Sequence, residues 1–110
     1  MSLKDLFYLA PPVRSLRDRK VLITGAASGI GRATALASAA QGAQLVVTDL
    51  HPEPLDELVA EVGAAGGTVL YHQAGDVSDY DWVARFAKTV DAEVGVMDVV
   101  MNIAGISAWG

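Results

Sequence analysis

The chain has 110 residues, enough for one ordinary domain with a real core. Its formal net charge of −5 argues against nucleic acid or an anionic membrane as a partner, and the absence of cysteine excludes disulfides, thiolate metal sites and a cysteine nucleophile. Hydrophobic residues make up 52% of the sequence and mean hydropathy is +0.34, an excess that strands buried on both faces of a helix-covered parallel sheet would explain.

Residues 1–17 read as a tail or linker. Pro11-Pro12 closes a short apolar patch, Leu6-Phe7-Tyr8-Leu9-Ala10, and mixed charges follow at Arg14, Arg17 and Asp18. That patch is too short for a secretory signal, and Asp5 sits close behind Lys4. The most apolar later stretch, residues 94–106, is interrupted by Asp98, Asn102 and two glycines, which does not fit a membrane span. The expectation is a soluble, cytoplasmic protein without a membrane or nucleic-acid partner.

From Lys20 onward the pattern alternates. Residues 21–24 predict a first strand, followed by the stretch Thr24-Gly25-Ala26-Ala27-Ser28-Gly29-Ile30-Gly31 and a helix over residues 30–41. Ile30, Ala33, Ala37 and Ala40 recur at spacings of three and four on one helix face, small enough to lie close to a sheet, and Gly42 ends the helix. Residues 45–49, Leu-Val-Val-Thr-Asp, predict a second strand with a carboxylate at its end. Pro52 or Pro54 opens a helix with Leu55, Leu58, Val59 and Val62 on one stripe, closed by Gly66-Gly67. Residues 68–73 predict a third strand. Ser78, with Asp81 three positions on, is a weak capping box for a helix bearing Val83, Phe86 and Val90. Gly95 stops that helix, and residues 97–103 predict a fourth strand. Strands interleaved with helices in this way predict successive βαβ units, hence an α/β fold with a parallel sheet and right-handed crossovers.

The glycine-rich loop lies between a strand and a helix, where unpaired N–H groups and the positive end of the helix dipole favour an anion. Gly25, Gly29 and Gly31 allow a tight turn, close approach of a pyrophosphate and close packing of helix on strand. A P-loop would need Gly-Lys followed by Ser or Thr, whereas Gly31 is followed by Arg32-Ala33, so phosphoryl transfer drops out. A methyltransferase fits the loop spacing less well. If the first and fourth strands are neighbours, the Gly25 loop and Ala104-Gly105 converge on one crevice at the carboxyl ends of the strands, the position where doubly wound sheets bind ligands.

The loop resembles the TGxxxGIG motif of the short-chain dehydrogenase/reductases, and the resemblance runs from about Arg19 to Ile106. Three further features agree in order and spacing: Asp49 at the end of the second strand, Asp76-Val77 after the third, and Asn102-Ile103-Ala104-Gly105 at the end of the fourth. The resemblance implies the first four strands and three helices of a Rossmann-like, doubly wound NAD(P)-binding domain over residues 18–110, incomplete at that length. It implies that Gly25, Ser28, Gly29, Ile30 and Gly31 line the cofactor. Asp49 lies 18 positions after Gly31, where a carboxylate can accept from the adenosine ribose hydroxyls and repel a 2′-phosphate. Neither Ser28 nor Leu50 supplies the basic side chain of NADP-preferring members, so NAD is expected over NADP. By the same resemblance Asp76 bonds the adenine amino group and Val77 packs on the ring. Asn102, Ala104 and Gly105 border the nicotinamide side, with Ile103 departing from the family's usual second Asn.

Members of the family transfer hydride between the nicotinamide and an alcohol or carbonyl substrate, with a tyrosinate as acid/base, a lysine beside it and a serine on the substrate oxygen. Neither Tyr71 nor Tyr80 is followed by Lys at the required spacing, and the sequence up to Gly110 contains no match to that catalytic set. The expectation is therefore the cofactor-binding part of a longer oxidoreductase, a homo-oligomer at full length. The alternative is a nucleotide-binding or interaction module without turnover. His51 and His72 have no ligand partners at metal spacing, and Trp82 and Phe86 read as core.

Overall fold

A computed structural model describes residues 15–104. Over them the chain forms β1 (Lys20–Thr24), α1 (Gly29–Ala40), β2 (Gln44–Asp49), α2 (Pro52–Ala64), β3 (Thr68–Ala74), α3 (Tyr80–Glu93) and β4 (Val99–Asn102). The four strands make one parallel sheet in the order β3-β2-β1-β4. The chain steps outward from β1 to β3 and then crosses back past β1 to β4, so strand order reverses between β1 and β4.

Alternation of side chains along the strands decides which helix covers which face. Val21, Ile23, Leu45 and Val47 point to one side, where they meet Ala35 of α1 and Leu55, Leu58 and Val62 of α2. Leu22 and Val46 point to the other side and pack with Phe86 and Val90 of α3. Because β2 is buried on both faces, its run Leu45-Val46-Val47 is apolar without alternation, as parallel strands require. Each fully buried Val, Leu or Ile contributes roughly 1.5–3 kcal/mol relative to exposure. Arg32 on α1 and Glu61 on α2 pair across the outside of the helical layer.

At the amino end of the sheet Lys20 aligns the two strands that border the reversal. Its N–H donates to Asp98 Oδ2 (2.8 Å), its carbonyl accepts from the Asp98 N–H (2.8 Å), and its ammonium donates to the Val94 carbonyl at the end of α3 (2.7 Å). Leu16 packs against the core and the Asp18 N–H donates to the Gly42 carbonyl (2.9 Å), so the last residues of the expected tail lie against the fold.

Two local expectations are corrected. The face of α1 bearing Ile30, Ala33, Ala37 and Ala40 is the exposed one, with Ile30 63% exposed, and the buried residues are Gly31, Ala35 and Ser38. In a helix this rich in alanine, side-chain size does not choose the face. The close contact at Gly31 does, because a Cβ there would lie 1.7 Å from the Gly25 carbonyl oxygen. The cap of α3 is Asp79 rather than Ser78, with Asp79 Oδ1 accepting from the Trp82 N–H (3.2 Å). Ser78 is engaged elsewhere: its N–H (2.9 Å) and hydroxyl (2.7 Å) both donate to Asp76 Oδ1.

Candidate functional site

The four sequence features meet at the carboxyl ends of the strands. Gly25 has φ +67°, a left-handed conformation, and a Cβ there would lie 2.8 Å from the Ala104 backbone nitrogen. Glycine at this position therefore lets the loop after β1 lie directly against the end of β4. Thr24 closes the same junction: its hydroxyl donates to Asn102 Oδ1 (2.7 Å) and accepts from the Ala104 N–H (3.4 Å). Thr24 and Asn102 are register partners, which is why side chains so far apart in sequence meet.

The loop then folds over the end of β2. Ala26 N–H donates to the Thr48 carbonyl (3.1 Å) and Ala27 N–H to Asp49 Oδ2 (2.8 Å), while Asp49 Oδ1 accepts from its neighbour's Leu50 N–H (2.6 Å). The Asp49 carboxylate is thus oriented by backbone donors and keeps lone pairs for further hydroxyl donors. Its own carbonyl accepts from the Gly75 N–H (2.9 Å), which ties the turn after β3 to the same place. On that turn the exposed Asp76 carboxyl is held below the usual carboxylate range, chiefly by the Ser78 hydroxyl and next by the Ser78 N–H.

At the start of α1 the Ser28 side chain makes no cap hydrogen bond, and the first turn carries no acidic residue. The leading N–H groups of the helix therefore have no side-chain cap and no acidic side chain in their own turn, which leaves them for an anionic ligand. A cavity of about 980 Å³ opens beside this loop and continues beneath α3. Gly25, Asp49, Asp76, Val77, Asn102 and Ala104 line it. Ser28, Gly29, Ile30 and Gly31 are not in its lining but form the turn of α1 that stands against Gly25. Gly105 lies outside the described residues. No lysine or arginine lines the cavity among the described residues, and no group of His, Cys, Asp and Glu there could hold a metal ion.

Two contributors went unrecognised in the sequence. Thr24 belongs to the loop motif, but its role depends on register with β4, which no local pattern discloses. Trp82 read as core, yet it is half-buried and lines the cavity beside Asp76. No helix among the described residues is long and apolar enough to cross a membrane.

Sheet order, glycine loop and crevice together define an α/β protein with an NAD(P)-binding fold of the doubly wound type. The family profile "short chain dehydrogenase" matches residues 19–110, and the chain belongs to that family of oxidoreductases. The probable oxidoreductase EphD of Mycobacterium tuberculosis is 47% identical over 93 residues, which cover 84% of this chain and 16% of that protein. A metagenomic short-chain oxidoreductase crystallised in complex with NADP is 38% identical with a TM-score of 0.73, covering 79% of this chain and 39% of that one. A short-chain dehydrogenase/reductase from Burkholderia phymatum in complex with NAD is 31% identical with a TM-score of 0.72, covering 80% and 31%. The chain thus spans less than two fifths of the length of each of these proteins.

Proposed function

We propose that this chain is the NAD-binding part of a cytoplasmic, homo-oligomeric dehydrogenase acting on a small alcohol or carbonyl compound, with the catalytic Ser, Tyr and Lys supplied by sequence beyond residues 1–110. The observation that carries the cofactor choice is the Asp49 carboxylate, held at the crevice by the Ala27 N–H at 2.8 Å in a lining that has no lysine or arginine among the described residues. A 2′-phosphate placed there would face negative charge with no cation to offset it, whereas ribose hydroxyls would donate to the carboxylate. The leading N–H groups of α1 would hold the pyrophosphate. Asp76 and Val77 would hold the adenine, and Asn102, Ala104 and Gly105 would border the nicotinamide. When bound, the nicotinamide supplies the hydride acceptor or donor. This chain's own residues bind and orient it, and Gly25 and Thr24 keep the β1 and β4 ends together beneath it.

The apolar surface left open beside the crevice supports a dehydrogenase part over a self-sufficient module. Val100, on the α3 side of β4, is 61% exposed, and Val96 before it is 80% exposed. Further polypeptide packed on this side would cover both residues and enclose the nicotinamide end. Calorimetric titration with NAD and NADP tests the reading. NAD should bind at least about tenfold more tightly, a difference of about 1.4 kcal/mol. Equal affinity for the two, or no binding of either, would refute it.

A further inference from the structure

The aromatic side chains of α3 form a short ladder that ends at the adenine side of the crevice. Tyr71 on β3 and Phe86 have ring centroids 6.0 Å apart at 43°, and Phe86 stacks on Trp82 at 4.9 Å and 15°. Phe86 is buried, so the indole is braced from behind. In front, the indole presses on the backbone of Gly75: a Cβ at that residue would lie 1.9 Å from Trp82 Cε2 and 2.3 Å from Nε1. Seven positions apart in sequence, the missing side chain at Gly75 and the large one at Trp82 fill a single space. Gly75 is also the residue whose N–H donates to the Asp49 carbonyl (2.9 Å), and it directly precedes Asp76 and Val77.

We propose that Trp82 is a positioning residue for the adenine end of the dinucleotide. Wedged between Phe86 and the Gly75 backbone, it fixes the turn that presents Asp76 and Val77 to the crevice. The Trp82 backbone N–H is itself held by the Asp79 cap (3.2 Å), so helix start, indole and turn form one unit. Its remaining surface lines the same cavity as Asp49, Asp76 and Val77, so occupancy of that cavity changes the environment of the indole. The inference rests on the dinucleotide reading above and adds a residue to it.

Trp82 and Trp109 are the two tryptophans of the chain, so a Trp109→Phe background makes Trp82 the sole tryptophan reporter. That protein is titrated with NAD, adenosine monophosphate and nicotinamide mononucleotide, following fluorescence and binding heat together. NAD and adenosine monophosphate should change Trp82 emission, and nicotinamide mononucleotide should not. Trp82→Ala should weaken NAD and adenosine monophosphate by about tenfold, the scale of losing one hydrogen bond to a charged group, here the displaced Asp76 carboxylate. It should leave nicotinamide mononucleotide unchanged, and Trp82→Phe should keep most of the affinity. Equal weakening of both mononucleotides, or adenine binding without any change in Trp82 emission, overturns the positioning role while leaving the dinucleotide reading intact. Absence of NAD binding heat in the starting protein overturns both.

Discussion

Replacing Gly31 by alanine should destabilise the protein although the residue lies in a helix, where alanine is intrinsically favoured over glycine by about 1 kcal/mol. The added Cβ would sit 1.7 Å from the Gly25 carbonyl oxygen and 2.6 Å from its carbon, where ordinary contact begins at 3.4 Å. α1 and the loop would have to separate by about 1.7 Å, and the obstacle is backbone that cannot rotate aside. Gly25 cannot retreat, because it already lies against the Ala104 backbone. Forced overpacking of this kind costs up to about 3 kcal/mol, so the net loss is about 2 kcal/mol, or roughly 10 °C in Tm for a domain of this size. Gly63→Ala is the control: Gly63 is also helical, on α2, and a Cβ added there would meet nothing within 4 Å, so the variant should be stabilised by about 0.5 kcal/mol. Urea and thermal denaturation of both variants measure the two signs. A Gly31→Ala protein as stable as the parent would refute the claim that the loop and α1 are locked by backbone contact.

Asp49→Ser should narrow the preference for NAD over NADP by at least about tenfold, since it removes the charge that faces a 2′-phosphate and a charged acceptor for the ribose; parallel titrations of the variant measure it. Asp79→Ala should cost about 1 kcal/mol through loss of the α3 cap, whereas Ser78→Ala should leave the helix cap intact; chemical denaturation separates them. The Asp76 carboxyl is lowered in the folded protein, so its contribution to stability is present above the usual aspartate pKa of about 3.9 and is lost as pH falls through the lower folded value. Asp76→Asn should flatten that acid limb, and Ser78→Ala should partly flatten it, in stability curves taken from about pH 6 downward to about pH 2.

The strands were legible in the sequence because each is a short apolar run bounded by glycine, proline or charge, and the β2 run Leu45-Val46-Val47 is buried on both faces. The mouth of the crevice was legible because Gly25, Asp49, Asp76, Asn102 and Ala104 sit at or just after strand ends, whereas its α3 wall was not. The buried face of α1 was not, since among near-identical alanines only the contact between Gly31 and Gly25 distinguishes one side, and that contact is tertiary. The cap of α3 was missed by one residue because Ser78 and Asp79 are both good caps, and the Asp76 carboxylate claims Ser78 first. Trp82 gave no sign of its place: an aromatic at helical spacing with Phe86 reads as core, and only the space at Gly75 turns it toward the crevice.

Amide chemical-shift mapping of the protein titrated with NAD tests the central claim most directly. Shifts should concentrate at the α1 start and the strand ends: Ala27, Gly29, Ile30, Asp49, Val77 and Asn102. A second cleft of about 450 Å³, bordered by Leu36, Gly42 and Gly66 near the carboxyl ends of α1 and α2, should stay unchanged. Shifts confined to that second cleft, or no shifts at saturating NAD, would contradict the assignment of the crevice as the dinucleotide site.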